Sequence, residues 1–298
     1  MFIDKKNKSR AIKLYIPGFL IIPVCFLFSC TGPRNIYSAS PLVSPVPMQK
    51  GSTAIEANYF SHTRQENVKD SVPGNSDNCF GLTLSYMLKE RTLVFVYADV
   101  KKERNQFALK PRPVIDFDYN AYNAGFDSSI VFGRRYTMGT GVEFFSDVYK
   151  PIIGSLAIVA NFHQFNMKEA GILLQAPYQR YYRLNQLTFS LQGNLLLKAG
   201  DRFNLAVMGR ITILNSFKAS TDYSHNEKKN AGLLDQRVKA FLSLPNLNAE
   251  YKPFKRFPLF ITGQFFNEFT AWRFVSYEPG RIYLKGTGAS VGMKYIFN

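Results

Sequence analysis

Cysteine is scarce in this chain. Of 298 residues only three are cysteines, Cys25, Cys30 and Cys79, which excludes a fold stapled by a disulfide framework. Histidine is as rare, with His62, His163 and His225 alone. There is no C-x-x-C, no H-E-x-x-H and no acidic calcium-loop spacing, and phosphate-loop and dinucleotide fingerprints are missing too. Neither a metal nor an organic cofactor is expected. Acid is in deficit: 21 Asp and Glu stand against 37 Lys and Arg, a formal charge of +16. Such a balance favours an anionic partner, either nucleic acid or a lipid and lipopolysaccharide surface. Finally, there is no apolar run long enough to cross a bilayer as a helix. The stretch Leu14 to Phe28 is about 15 residues long and contains Pro17 and Pro23, where roughly 20 are needed.

That apolar stretch has another use. It follows Lys5, Lys6, Lys8, Arg10 and Lys13 and ends in Leu27-Phe28-Ser29-Cys30. A basic start, an apolar middle and a small residue before the cut describe a secretory signal. Leu27 at −3, Ser29 at −1 and Cys30 at +1 resemble a bacterial lipobox, in which the Cys30 thiol takes a diacylglyceryl group and becomes the new N-terminus. Phe28 is larger than the usual residue at −2. A chain beginning at Cys30 loses five basic residues and one acid, and so keeps +12. Export argues against nucleic acid as the partner. With Cys30 acylated, Cys79 has no intramolecular partner. Residues 31–50 hold four prolines and several serines without any period, which predicts an extended tether. The expected organisation is a signal peptide at 1–29, a lipidated cysteine and tether at 30–52, and one folded domain at 53–298.

Within that domain apolar and polar residues alternate almost without pause. Leu187, Phe189, Leu191, Gly193, Leu195 and Leu197 fall on one face; Thr188, Ser190, Gln192, Asn194 and Lys198 fall on the other. Side chains of a strand point to opposite sides with period 2, whereas a helix would repeat at 3.6. The same pattern returns around Phe80–Leu88, Phe203–Ile213 and Ala289–Phe297. Abundant Phe and Tyr (27 and 17) suit strands. About twelve strands are expected, near 53–61, 79–88, 92–100, 114–131, 135–146, 153–166, 169–177, 185–198, 202–216, 237–252, 258–271 and 282–297. Pro245 predicts a bulge in its strand. Short turns are expected near 89–91, 132–134, 167–168, 199–201 and 253–257. Longer connections are expected at 62–78, 101–113, 217–236 and 272–281, with shorter members at 147–152 and 178–184.

Two architectures fit alternating strands. In a soluble two-layer sandwich the polar face meets water and carries many charges. In a transmembrane barrel the apolar face meets lipid, and the polar face fills a lumen with Gly, Ser, Thr, Asn, Gln and a few charges. The polar faces above are mostly of the second kind, so a closed antiparallel transmembrane β-barrel is expected. Tyr136, Phe144-Phe145, Tyr181-Tyr182, Tyr277, Tyr295 and Phe297 fit aromatic girdles. A periplasmic, lipid-anchored sandwich that binds a ligand is the alternative.

The lipobox, the proline tether, the repeated strand-turn-strand units and the aromatic-rich ending Lys294-Tyr295-Ile296-Phe297-Asn298 together make the chain resemble uncharacterised outer-membrane β-barrel lipoproteins of Bacteroidetes. The resemblance covers the layout of the whole chain and rests on no catalytic motif. It implies an outer-membrane location and dealings with barrel-assembly and lipoprotein-sorting machinery. Thr31-Gly32-Pro33-Arg34 lacks the acidic stretch that in this group accompanies export to the cell surface, which implies that the lipid stays on the periplasmic side.

Chemistry is thinly signalled. His163, beside Phe162 and Gln164, would be the base of a His–Ser pair in an envelope lipase-like hydrolase, provided it faced outward beside a serine. No G-x-S-x-G elbow accompanies it. The expectation is no enzyme. Gly139-Thr140-Gly141 lies in an alternating strand, where glycine relieves crowding in a small barrel. Asp116, Asp118, Glu143, Arg210, Glu268 and Lys294 are candidate lumenal charges, pairing with one another because an unpartnered buried charge is costly. Lys101, Lys102, Arg104, Lys110, Arg112, Lys228 and Lys229 are candidate loop contacts for lipopolysaccharide phosphates. The role expected is structural or binding, or that of a narrow pore.

Overall fold

Every long strand pairs antiparallel with its neighbour in sequence, and the first pairs with the last, so the sheet has no free edge. The computed structural model describes residues 48–63, 76–108, 113–115, 121–123, 128–149, 151–173, 176–224, 239–273 and 283–297. The strands are β1 Thr53–Thr63, β2 Ser76–Lys89, β3 Thr92–Ala108, β4 Pro113–Ile115, β5 Ala121–Asn123, β6 Ser128–Tyr149, β7 Ile152–Leu173, β8 Ala176–Ala199, β9 Phe203–Thr221, β10 Lys239–Tyr251, β11 Leu259–Arg273 and β12 Tyr283–Phe297. Around the barrel the order is β1-β12-β11-β10-β9-β8-β7-β6-β3-β2, and β4 and β5 form a separate two-stranded hairpin. The closing contact runs from Thr53 opposite Phe297 to Thr63 opposite Thr287. A single closed sheet overturns the sandwich alternative, which needs two layers.

Ten strands build the barrel, not about twelve. The segments expected at 114–131 and 135–146 contribute one barrel strand, β6. Those at 153–166 and 169–177 are one strand, β7. The turns expected at 132–134 and 167–168 lie inside these strands, and the connection expected at 178–184 lies inside β8. The charged pairs there do not break the ladder. Arg134 points outward and Arg135 inward, and Lys168 and Glu169 divide likewise, as period 2 requires. For the same reason β3 runs on through Lys101 to Arg104. The bulge expected at Pro245 is present. The β9 pairing skips between Ser243 and Asn246, and the Leu244–Pro245 peptide is cis.

One end of the barrel carries short turns, at 90–91, 150–151, 200–202 and 252–258, together with the start of β1 and the end of β12. The backbone ties this end down: Gly51 N–H donates to Met87 O at 2.9 Å, and Ile296 N–H to Pro258 O at 3.0 Å. Gly200 turns the chain there with φ of 77°, a conformation that glycine adopts without steric penalty. The other end holds the strand ends Thr63 and Ser76, Ala108 and Ser128, Leu173 and Ala176, Thr221 and Lys239, and Arg273 and Tyr283.

Inside and outside are inverted relative to a water-soluble protein. Phe80, Met138, Phe189, Val291 and Met293 are each more than half exposed on the outer wall, while Gln186, Thr188, Gln192, Asn246 and Asn248 are buried inside. The outward residues Leu187 to Leu197 of β8 mark an apolar band. About 10 residues at roughly 3.4 Å each, tilted by some 40°, give a height of about 25 Å.

Candidate functional site: a filled lumen and a basic outer wall

The lumen is packed with side chains. One buried cluster joins Phe60 of β1, Cys79 of β2 and Phe266 of β11 to Leu196 of β8 and to Ala206 and Met208 of β9. In the strand order β1 lies opposite β8 and β2 opposite β9, so this cluster crosses the barrel from wall to wall. A second cluster, Met87, Leu93, Phe95, Phe145, Ala157 and Val159, packs at the short-turn end. A third, Val131, Phe165, Met167, Tyr182, Leu184 and Tyr223, lies towards the other end. The glycines fit into this packing. Gly141 faces inward under the ring of Phe95, and a Cβ built there would stand 2.6 Å from the carbonyl oxygen of Ile158. Gly139 lies under Tyr97 in the same way, so both glycines relieve crowding as expected.

Between the apolar clusters the polar residues are bonded to one another. His163 stands between Thr137 and Thr188, with both ring nitrogens 3.0 Å from a hydroxyl. Asn161 donates to the Thr188 hydroxyl at 2.9 Å and accepts from the Tyr97 hydroxyl. Lys101 lies 3.2 Å from Asp77 and 4.0 Å from Glu103, which itself lies 3.6 Å from Arg135. Arg135 also donates to Gln186 at 2.9 Å and stacks over the Phe165 ring at 4.8 Å. Towards the short turns, Lys294 donates to Glu250 at 2.9 Å and Thr262 donates to Glu56 at 3.2 Å. Glu143 accepts from Ser155 at 2.5 Å and from Asn194 at 2.9 Å.

Glu143, Arg210 and Lys294, all candidate lumenal charges, are buried in the lumen. Asp116, Asp118, Lys110, Arg112, Lys228, Lys229 and residues 1–47 (with Cys30) lie outside the described residues, and Glu268 is described only by its place in β11. Two expectations are corrected. Lys101, Lys102 and Arg104 are not loop residues but belong to β3, and Lys101 is a buried lumenal partner of Asp77. His163 faces the lumen, buried among threonines and an asparagine, without the outward placement the hydrolase reading needs. Sequence reasoning missed Glu56, Asp77, Asp99, Glu103, Arg135, Glu169 and Glu250, all buried in the lumen. The signal was present in their spacing, since Glu56 follows outward Ile55 and Asp99 precedes outward Val100. Among the described residues, seven carboxylates but only four cations (Lys101, Arg135, Arg210 and Lys294) are buried inside. Among the described residues the excess positive charge is thus not lumenal.

Part of it lies on the outer wall. Lys102 of β3 is opposite Arg134 of β6, which is opposite Asn166 of β7, which is opposite Arg183 of β8. One step further from the short-turn end, Arg104, Phe132, Lys168 and Tyr181 form a parallel row on the same strands. All five cations are exposed. Arg104 and Lys168 each stand 5.9 Å from an aromatic ring, those of Phe132 and Tyr181. Arg183 donates to Asn166 at 3.0 Å.

No protein-family model matches the chain, and no curated protein matches it. Among solved structures, the barrel is similar to the transport unit of the autotransporter AIDA-I from Escherichia coli, with 11% identity over 86% of this chain and 93% of that one and a TM-score of 0.47. It is similar to the translocator domain of the autotransporter NalP from Neisseria meningitidis, with 10% identity over 84% and 90% and a TM-score of 0.49. It is also similar to an outer membrane channel from Pseudomonas putida F1, with 10% identity over 86% and 100% and a TM-score of 0.38. At these levels the likeness concerns the barrel as a shape and assigns no residue a role.

Proposed function

We propose that the chain is an outer-membrane β-barrel lipoprotein, acylated at Cys30 on the periplasmic side, whose barrel is a closed structural and binding scaffold with no catalytic step. Support for the membrane comes from the outer wall. A band of Leu, Phe, Val, Ile and Met about 25 Å high matches hydrocarbon, and a sheet without edges is the form in which strands can span it, because lipid offers backbone groups no hydrogen-bond partners. The short-turn end, which holds the start of β1 and so the tether from Cys30, is the periplasmic end by the usual asymmetry of such barrels. The observation that carries the closed reading is the buried cluster from Phe60 to Met208, which crosses the lumen.

The test is twofold. The Cys30→Ala variant, exported by its signal, is expected to stay with the outer membrane after an alkaline wash and to keep a heat-modifiable band on denaturing gels. Release into buffer would refute the barrel as a membrane-spanning body. The purified full chain in planar bilayers is expected to give no stepwise conductance; steady ion-selective steps would refute the closed lumen and restore the narrow-pore reading.

A further inference from the structure

We propose that the basic wall formed by Lys102, Arg104, Arg134, Lys168 and Arg183 is a binding site for the phosphorylated glycolipid of the outer leaflet. This rests on the reading of the barrel as membrane-spanning with its short-turn end periplasmic, and it names what that scaffold binds.

Lys102 and Arg104 follow the outward apolar series Val94, Val96, Ala98 and Val100 on β3, and Arg134 precedes Tyr136 and Met138 on β6. Each strand thus changes from apolar to basic along one face, on the side away from the short turns. On these two strands the first cation stands two residues past the last apolar side chain, about 7 Å along the strand. That is headgroup depth, where a lipid with its chains against the apolar band presents phosphate. A soluble anion would need no such continuity between greasy and basic surface.

Lys102, Arg134 and Arg183 share one row across four adjacent strands, and Arg104 and Lys168 share the next. Strands lie about 4.8 Å apart, so the rows span roughly 14 Å of wall. Among the described residues, the two rows on these four strands contain no acid. Like charges set side by side on neighbouring strands repel one another. An arrangement of five cations with no carboxylate among them gains stability from an anion with more than one phosphate, held by charge-assisted hydrogen bonds. Phe132 and Tyr181, against which Arg104 and Lys168 rest, give the sugar ring a flat apolar surface.

Pairing of β8 with β9 slips, with Arg183 opposite Ser220 but Asn185 opposite Phe217. Lys218, one of two β9 residues set against the single Leu184, has a φ of 50°. Such a bulge bends the wall. Beside it a groove of about 560 Å³ is lined by Asn166, Tyr181, Arg183, Ser220, Thr221 and Asp222. Asp222 is the one acid there; its carboxylate accepts the Tyr181 N–H at 2.6 Å. The groove adjoins both basic rows and is large enough for part of a sugar headgroup.

The experiment measures lipid binding to the purified full chain in mild detergent by native mass spectrometry. The probes are diphosphoryl lipid A, the same lipid stripped of its phosphates, and phosphatidylglycerol. The wild-type protein is expected to hold diphosphoryl lipid A about tenfold or more tightly than either of the other two. Replacement of Lys102, Arg134, Lys168 and Arg183 by Gln is expected to weaken diphosphoryl lipid A to the level of the stripped lipid. Lys198→Gln with Arg202→Gln, at the opposite end, is expected to change nothing. If the fourfold variant loses its heat-modifiable band, the pairs Lys102→Gln with Arg134→Gln and Lys168→Gln with Arg183→Gln are measured separately, each expected to lose part of the affinity. Unchanged affinity in the folded variants overturns the proposal, as does equal binding of the stripped lipid. Equal binding of phosphatidylglycerol overturns the assignment to the outer leaflet. These outcomes are separate from those of the function proposed above, since a conducting barrel could still bind the glycolipid and a closed one could fail to.

Discussion

Lys294 and Glu250 meet at 2.9 Å with both side chains buried, and removing Lys294 takes a buried counter-ion from Glu250. Lys294→Met is therefore expected to lower stability by about 3–5 kcal/mol, read as a fall in the temperature at which the heat-modifiable band disappears. Adding Glu250→Gln to that variant is expected to recover much of the loss, because the charge that Lys294 balanced goes with it. Gly141 is limited by space. With the Phe95 ring above and the Ile158 carbonyl 2.6 Å from the position of a new Cβ, Gly141→Ala is expected to cost about 1–3 kcal/mol, seen in the same melting assay. At this scale part of the lumen was legible. Lys294 between Met293 and Tyr295 is an isolated charge in an apolar alternation, which assigns it to the polar face, and it is buried in the lumen. Lys101-Lys102-Glu103-Arg104 misled, because four charges in succession look like a loop. They form a strand whose two faces are both polar, as happens where a strand runs beyond the height of its apolar band.

Strand length follows from the same cause. β6, β7 and β8 run for 22, 22 and 24 residues, about twice what crosses a bilayer. Inside the band the outward residues must be apolar, and that stretch is what periodicity found. Outside it nothing constrains them to be apolar, so Arg134 and Lys168 end the visible pattern while the ladder continues through them. Expected turns at 132–134 and 167–168 were therefore the edge of a band and not the end of a strand. This division can be tested on β8. Leu191 lies in the middle of the apolar series and Arg183 beyond it, both exposed and outward. Leu191→Arg is expected to destabilise the barrel by about 2–4 kcal/mol in urea-unfolding titrations in lipid vesicles. Tyr181→Arg, beyond the band, is expected to cost less than about 1 kcal/mol. Equal costs at the two positions would show that hydrocarbon does not cover the wall where the band places it.

For the whole molecule the decisive contacts join residues far apart in sequence, and periodicity says nothing about them. Alternation assigns Phe60, Cys79, Met208 and Phe266 to one side of their strands, but closure in the order β1 opposite β8 is what brings them together. A barrel of this size holds side chains or a narrow channel, depending on how large the inward residues are. Here the Phe60 and Phe266 rings pack edge to face with centroids 5.5 Å apart, the Lys101 ammonium stands 5.1 Å from the Phe60 ring, and Met208 completes the bridge from the far wall. Phe60 thus holds together the apolar crossing and the charged chain that begins at Asp77. Truncating such a ring costs about 3–5 kcal/mol, so a paired variant is preferable to a wider one. Phe60→Ala with Met208→Ala is expected to keep the heat-modifiable band with a lowered melting temperature, and to show brief conductance steps in planar bilayers where the parent shows none. The seven buried carboxylates against four cations predict that those steps favour cations over anions, measurable as a reversal potential in a salt gradient. A folded paired variant as silent as the parent would mean that the lumen is blocked by more than this crossing.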